Sequence, residues 1–226
     1  MSSRQQEKEQ RKREREERER AAAKEAQRKR LLQIAGGFVV FAAIVVGVVL
    51  AISGGGGGDD TDRPTEAELA KLANTADCSV KSFPDEGNNH LTKKFKPSDY
   101  KTNPPTSGDH VPPGLEAQVG VYAIDNEPEI GNWVHTLEHG RILLQYKPGT
   151  PAATIAQLQK LYDEDVLGSG EGYHSVLMQN NTKMPFEVAA VAWRHYIGCE
   201  KFTPAAIPAM SAFRELYVDT APEQVP

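Results

Sequence analysis

The sequence predicts an α+β domain carried outside a membrane on one transmembrane helix. Three observations predict it. Leu31 to Ile52 is a run of 22 residues with no charge and one polar residue, Gln33. Beyond it, apolar residues follow strand-like and helix-like spacing in the order β-α-β-β-α, which reads as a two-layer domain. The only two cysteines, Cys78 and Cys199, both lie on the far side of the run.

The run spans ~33 Å as a helix, enough for a hydrocarbon core of ~30 Å. It is longer than a signal-peptide apolar region, and no A-x-A site follows it, so it reads as an uncleaved anchor. Arg28, Lys29 and Arg30 abut one end, while Asp59, Asp60 and Asp62 follow the other. By the positive-inside rule residues 1–30 stay in the cytoplasm and the rest is exported. Charge divides the same way. Residues 1–30 carry net +5 and the remainder −10. The head alternates Arg and Lys with Glu, with i,i+4 pairs such as Glu7–Arg11 and Glu25–Lys29 that support a solvated helix. It has no a/d seam for a coiled coil, and its basic residues next to the span suit anionic lipid. An acidic outer domain argues against nucleic acid as a partner. The organisation expected is a charged cytoplasmic helix at 1–30, a transmembrane helix at 31–52, a Gly/Asp-rich linker at 53–63 and an extracytoplasmic domain at 64–226. The lipid bilayer is the expected partner, together with other envelope proteins.

Within the outer domain, Pro64 and the Glu66, Glu68, Leu69, Leu72 pattern predict a helix over 65–75. Residues 77–117, rich in Pro, Gly, Asn, Asp and Ser, read as long irregular structure, which is usually functional or disordered. Strands are expected at Gln118–Ile124 and Arg141–Tyr146, the second stopped by Lys147-Pro148-Gly149. Thr150-Pro151 opens a helix to about Asp163. His174–Gln179 and Glu187–His195 read as two further strands, arranged as a hairpin. Thr203-Pro204 opens a last helix, with Ile207, Met210, Phe213, Leu216 and Tyr217 inward.

An even cysteine count in an exported domain predicts a Cys78–Cys199 disulfide. The two are too far apart in sequence for a C-x-x-C redox pair.

Four of the six histidines, His90, His110, His135 and His139, fall in or beside the irregular region. His135-Thr-Leu-Glu138-His139 spells H-x-x-E-H. On a helix the two imidazoles share a face and can chelate one metal ion. Asn132 would cap that helix, Gly140 would end it, and Trp133 and Leu137 would face the core. A strand would also keep the two histidines together. His110 follows Asn103-Pro-Pro-Thr-Ser107-Gly-Asp109, a loop stiffened by two prolines with Gly108 for a tight turn. The metal reading takes His135 and His139 with His110 and His90, and Glu138 as ligand or supporting partner. Imidazole ligation suits copper or zinc. The competing reading is that these rings bond backbone carbonyls, Glu138, Tyr122 or Ser107. H-x-x-E-H is also the inverted zinc-peptidase pattern, in which Glu138 would activate a metal-bound water. Met178 and Met184 read as core, and His174 and His195 as ordinary strand-end residues. No nucleophile triad and no phosphate-loop motif is present.

The motifs N-P-P-T-S-G-x-H at 103–110, G-x-Y at 120–122, V-H-x-L-E-H-G at 134–140 and A-x-A-W at 190–193 together resemble the family called domain of unknown function 3105. The resemblance covers roughly residues 78–223. It implies a single-span, membrane-anchored bacterial protein with a shared histidine-centred site, and it brings no reaction. His110, His135, Glu138, His139 and Tyr122 match family positions, and His90 an upstream family histidine. Asp109 stands where proline is more usual, which predicts a looser His110 loop. Three functions remain open: copper or zinc binding, an envelope interaction module with structural histidines, and a metal-dependent hydrolase.

Overall fold

A computed structural model describes residues 63–223 of the chain. The expected cytoplasmic helix, the transmembrane helix and nearly all of the linker lie outside the described residues. Among the described residues no helix is long and apolar enough to cross a membrane. The described residues belong to one compact unit.

The elements in chain order are α1 (Glu66–Thr75), β1 (Cys78–Ser82), a 3-10 turn (Pro97–Asp99), β2 (Gly120–Val121), α2 (Ile130–Glu138), β3 (Ile142–Tyr146), α3 (Ala152–Asp163), β4 (Ser175–Gln179), β5 (Val188–Ala192), β6 (His195–Cys199) and α4 (Ala206–Tyr217). The six strands form one mixed sheet in the order β1-β6-β5-β3-β4-β2. β2, β4 and β3 run parallel, and β3, β5, β6 and β1 alternate. The class is α+β, as expected.

The two-layer expectation needs correction, because both faces of the sheet are covered. Ile142, Leu144, Leu177, Val188, Ala190 and Ile197 share a core with α1, α3 and α4. Leu143, Val176, Met178, Ala189, Val191 and Tyr196 share a second core with α2 and with Phe95, Tyr100 and Val111 of the irregular segment. Strand side chains alternate between faces, so a strand apolar at every position needs a cover on each side. The irregular segment supplies part of the second cover.

The local signals explain most of the helices. Thr65 and Glu68 form a reciprocal capping box, so α1 begins at Glu66 and Pro64 stays outside it. At its far end α4 leaves carbonyls unpaired, and Arg63 donates to those of Glu215 (2.8 Å) and Val218 (3.0 Å). Three strand expectations change. The β4–β5 hairpin does not exist: β3 lies between those strands, with a β3-α3-β4 crossover on one side. β5 pairs instead with β6 through a turn at Trp193-Arg194, where Arg194 has φ +66°. Neither residue is a usual turn former. Tertiary bonds hold the turn: Arg194 N–H donates to Thr106 O (2.8 Å) and its Nε to Phe83 O (3.0 Å). Inside the segment read as irregular, Cys78–Ser82 forms an edge strand, mostly solvated and so without an apolar signature. The strand expected over 118–124 shrinks to Gly120–Val121.

Cys78 and Cys199 are bonded and face each other directly across β1 and β6. The bridge closes a loop with a sequence separation of 121. In the chain-entropy account such a closure is worth ~5 kcal/mol. Replacing both cysteines by serine is expected to lower unfolding stability by about 2–5 kcal/mol, read as a shift of the urea midpoint. A midpoint unchanged in the variant would show that the bridge adds nothing to the sheet.

Candidate metal centre

α2 carries the centre of the site. It starts at Ile130, with Glu129 at the N-cap, one turn earlier than a cap at Asn132 would allow. Asn132 lies inside the first turn, and its side-chain amide donates to Leu115 O. Trp133 and Leu137 are fully buried in the second core, as expected. Gly140, at φ +77°, ends the helix. Its N–H donates to Leu137 O (3.0 Å) and the next, of Arg141, to Thr136 O (3.3 Å), satisfying two end carbonyls. A β-carbon at Gly140 would lie 2.8 Å from Asp219 Cα, so the position has no room for a side chain.

The irregular segment is laced to this helix and to itself. Ala117 N–H donates to Asn132 O (3.1 Å), and the Thr136 hydroxyl to Ala117 O (2.8 Å). His90 and His110 pair across a parallel bridge, with Leu91 N–H on His110 O (2.8 Å) and His110 N–H on Asn89 O (3.0 Å). Asp109 does the reverse of loosening its loop. Its carboxylate accepts from Asn89 N (3.1 Å) and Nδ2 (2.8 Å), and its carbonyl accepts from the Tyr100 hydroxyl (3.0 Å). Gly108, at φ +127°, packs so closely on the Tyr100 ring that a β-carbon would lie 2.9 Å from it.

These constraints bring His90, His110, His135 and Glu138 together, with one ligand atom from each inside 4.8 Å of all the others. Ring centroids are 4.8 Å apart for His90–His110, 4.9 Å for His90–His135 and 4.6 Å for His110–His135. His110, His135 and Glu138 are 0% exposed. His90 alone reaches solvent, with 32% of its side chain exposed. Glu138 Oε2 stands 2.9 Å from His110 Nε2 and 3.6 Å from His90 Nε2. Glu138 is therefore among the imidazoles and not behind them. The Trp193 ring closes one side, edge-on to His110 at 6.1 Å.

The protonation state of His110 follows from its neighbour. Nδ1 lies 2.8 Å from Gly108 O. A carbonyl only accepts, so Nδ1 carries a proton and Nε2 is the nitrogen that faces Glu138. His110 Nε2 and Glu138 Oε2 are at ion-pair distance but not aligned for a hydrogen bond, and Glu138 Oε1 and the two ring nitrogens of His135 have no hydrogen-bond partner. Each such buried polar atom costs about 1–3 kcal/mol. Burial, with His110, His139 and His90 adding, pushes His135 down from 6.5 to about 4. It presents a neutral ring, the form that binds metal.

The other expected site residues lie elsewhere. His139 sits at the C-cap of α2, its ring 4.6 Å from that of His135, and faces Glu223 (Nε2–Oε2 3.3 Å) rather than the group of four. Ser107 Oγ accepts from Glu86 N (3.1 Å), the Tyr122 hydroxyl donates to Gln118 O (2.9 Å), and neither makes a hydrogen bond to an imidazole. His174 bonds Asp219 (2.6 Å) and His195 bonds Ser82 (2.8 Å). Met178 is core, as read. Glu223 and Glu116 were not singled out from the sequence. Glu223 reaches the site because its N–H donates to Glu138 O (3.1 Å). Glu116 is held below the usual carboxylate range chiefly by backbone N–H groups, with His135 and His139 adding. Neither has a local signal, since each comes from a distant or unpatterned segment.

The His135 environment predicts a pH effect. Its folded value lies below its unfolded one, so the unfolded chain binds more protons between pH 6.5 and 4. The stability contributed by the neutral ring is complete above about 6.5 and is lost as pH falls through about 4. In chelator, the denaturant midpoint is expected to drop across that window, and to drop less in a His135→Asn variant. Equal slopes for both proteins would exclude the effect.

No curated protein and no solved structure matches the chain. A family model described as a protein of unknown function (DUF3105) matches residues 92–225. The match includes His110, His135, Glu138 and His139, and it begins just after His90 and well after Cys78, later than the resemblance had implied. It covers more than half of the sequence, and the chain therefore belongs to the DUF3105 family.

Proposed function

We propose that the domain binds a transition-metal ion, copper or zinc, on His90, His110, His135 and Glu138. The observation that carries this reading is the set of buried, unpartnered ligand atoms. A proton shared between His110 and Glu138 would satisfy one pair and leave both nitrogens of His135 unpaired. A cation satisfies several of these atoms at once. Metal–nitrogen bonds of about 2.0–2.1 Å put neighbouring ligand atoms roughly 3 Å apart, which suits the Glu138 contacts at 2.9 and 3.6 Å. Imidazole and carboxylate donors without thiolate fit zinc or oxidised copper.

Two further features bear on the role. In the peptidase pattern the glutamate stands off the metal to activate water. Here it lies among the ligands, which favours binding or handling over hydrolysis. The disulfide supports an oxidising location. An oxidising location suits a domain exported to the outer side of a bacterial envelope; the membrane anchor and the envelope partners rest on the sequence alone.

The test uses the full chain, purified without a histidine tag and loaded separately with Cu(II) and Zn(II). Stoichiometric metal is expected by elemental mass spectrometry. Loading to a hundredfold above Kd should raise unfolding stability by about 2.7 kcal/mol. The His110→Ala/Glu138→Gln variant should lose that ion and that gain. A folded wild type that takes neither metal would leave the histidines structural, in an interaction module.

A further inference from the structure

Beside the group of four lies a second set: His135, His139 and Glu223, whose ligand atoms also fall within 4.8 Å of one another. His135 belongs to both sets. Its ring is 4.6 Å from His110 on the inner set and 4.6 Å from His139 on the outer. Both of its nitrogens are buried and unpartnered. An ordinary buried histidine spends at least one nitrogen on a protein partner, and this one spends neither.

We propose that the protein holds two divalent cations at once, with His135 giving one ring nitrogen to each. This deepens the metal reading above and rests on it. The outer ion is held by His135, His139 and Glu223. Neutral His135 carries one N–H. When the second ion takes that nitrogen, the proton leaves to solvent and the ring becomes a bridging imidazolate. With bonds of about 2.0–2.1 Å at each nitrogen, the two ions stand roughly 6 Å apart.

Charge supports the pair. Glu138 belongs to the inner set and Glu223 to the outer one, so each ion has a carboxylate of its own. With the imidazolate, these two carboxylates offset three of the four positive charges. Exposure grades in the same direction. The inner set is closed apart from His90, whereas the side chains of His139 and Glu223 are 12% and 45% exposed. The outer ion keeps a face toward solvent, where water or a small anionic ligand can complete its shell.

The experiment loads the full chain with Cu(II) and counts copper by elemental mass spectrometry and spins by electron paramagnetic resonance, with Zn(II) uptake counted in parallel. The wild type is expected to take two ions, with a copper signal well below two spins because the shared ring couples them. His139→Ala/Glu223→Gln should take one ion and, with copper, show one full spin. One ion in the wild type, unchanged in that variant, would overturn the second site and leave the single-ion reading intact. Two copper ions with the full two-spin signal would overturn the bridge. No copper and no zinc in folded wild type would overturn the single-ion reading as well.

Discussion

Three ionisable side chains, His110, His135 and Glu138, lie wholly out of water in this domain, and much of the structure around them exists to keep them there. Burying such groups without partners opposes folding by about 1–3 kcal/mol for each unsatisfied atom. They persist because the surrounding segments are over-determined. The Asp109 carboxylate binds Asn89, the His90–His110 bridge joins two loop strands, and Thr136 anchors Ala117. Loosening any of these would let an imidazole turn toward solvent. Unpaired donors and acceptors that survive in such a scaffold point to a ligand that pairs them.

The sheet makes this arrangement possible by being apolar on both faces. One face is covered by α1, α3 and α4, and on this side the Cys78–Cys199 bridge ties the edge strand β1 to β6. The other face has only α2 and the long segment before it. A loop buries its backbone polar groups only if they find partners, and here they find them on α2, on the β5–β6 turn and on one another. The segment therefore acts as a layer of the fold, and its histidines enter the interior with it.

The position of Glu138 decides how the H-x-x-E-H pattern is used. Helical periodicity pairs His135 with His139 at i,i+4 and with Glu138 at i,i+3. The structure uses both neighbours, for different purposes. Glu138 points inward to His110 and His90, while His139, at the helix end, meets Glu223 from the last segment of the domain. His135 lies between them, and that middle position makes two adjoining sets out of one short motif.

Elements whose signals are local are legible in the amino-acid sequence. The helix over 65–75, the helix that ends at Gly140, the β3 run and the two helices opened by Thr-Pro all depend on residues within one or two turns of each other. The cysteine pairing was also legible, because two cysteines allow only one bridge. His90, His110, His135 and Glu138 could be named as candidates from their residue types. Tertiary structure alone decided which of them meet. The Trp193-Arg194 turn is held by Thr106 and Phe83, β1 is an edge strand defined by its partner β6, and Glu223 reaches the site through the Glu138 carbonyl. In each case the controlling contact joins residues far apart in the chain. Such contacts leave no periodicity or spacing in either segment, so only the folded chain reveals them.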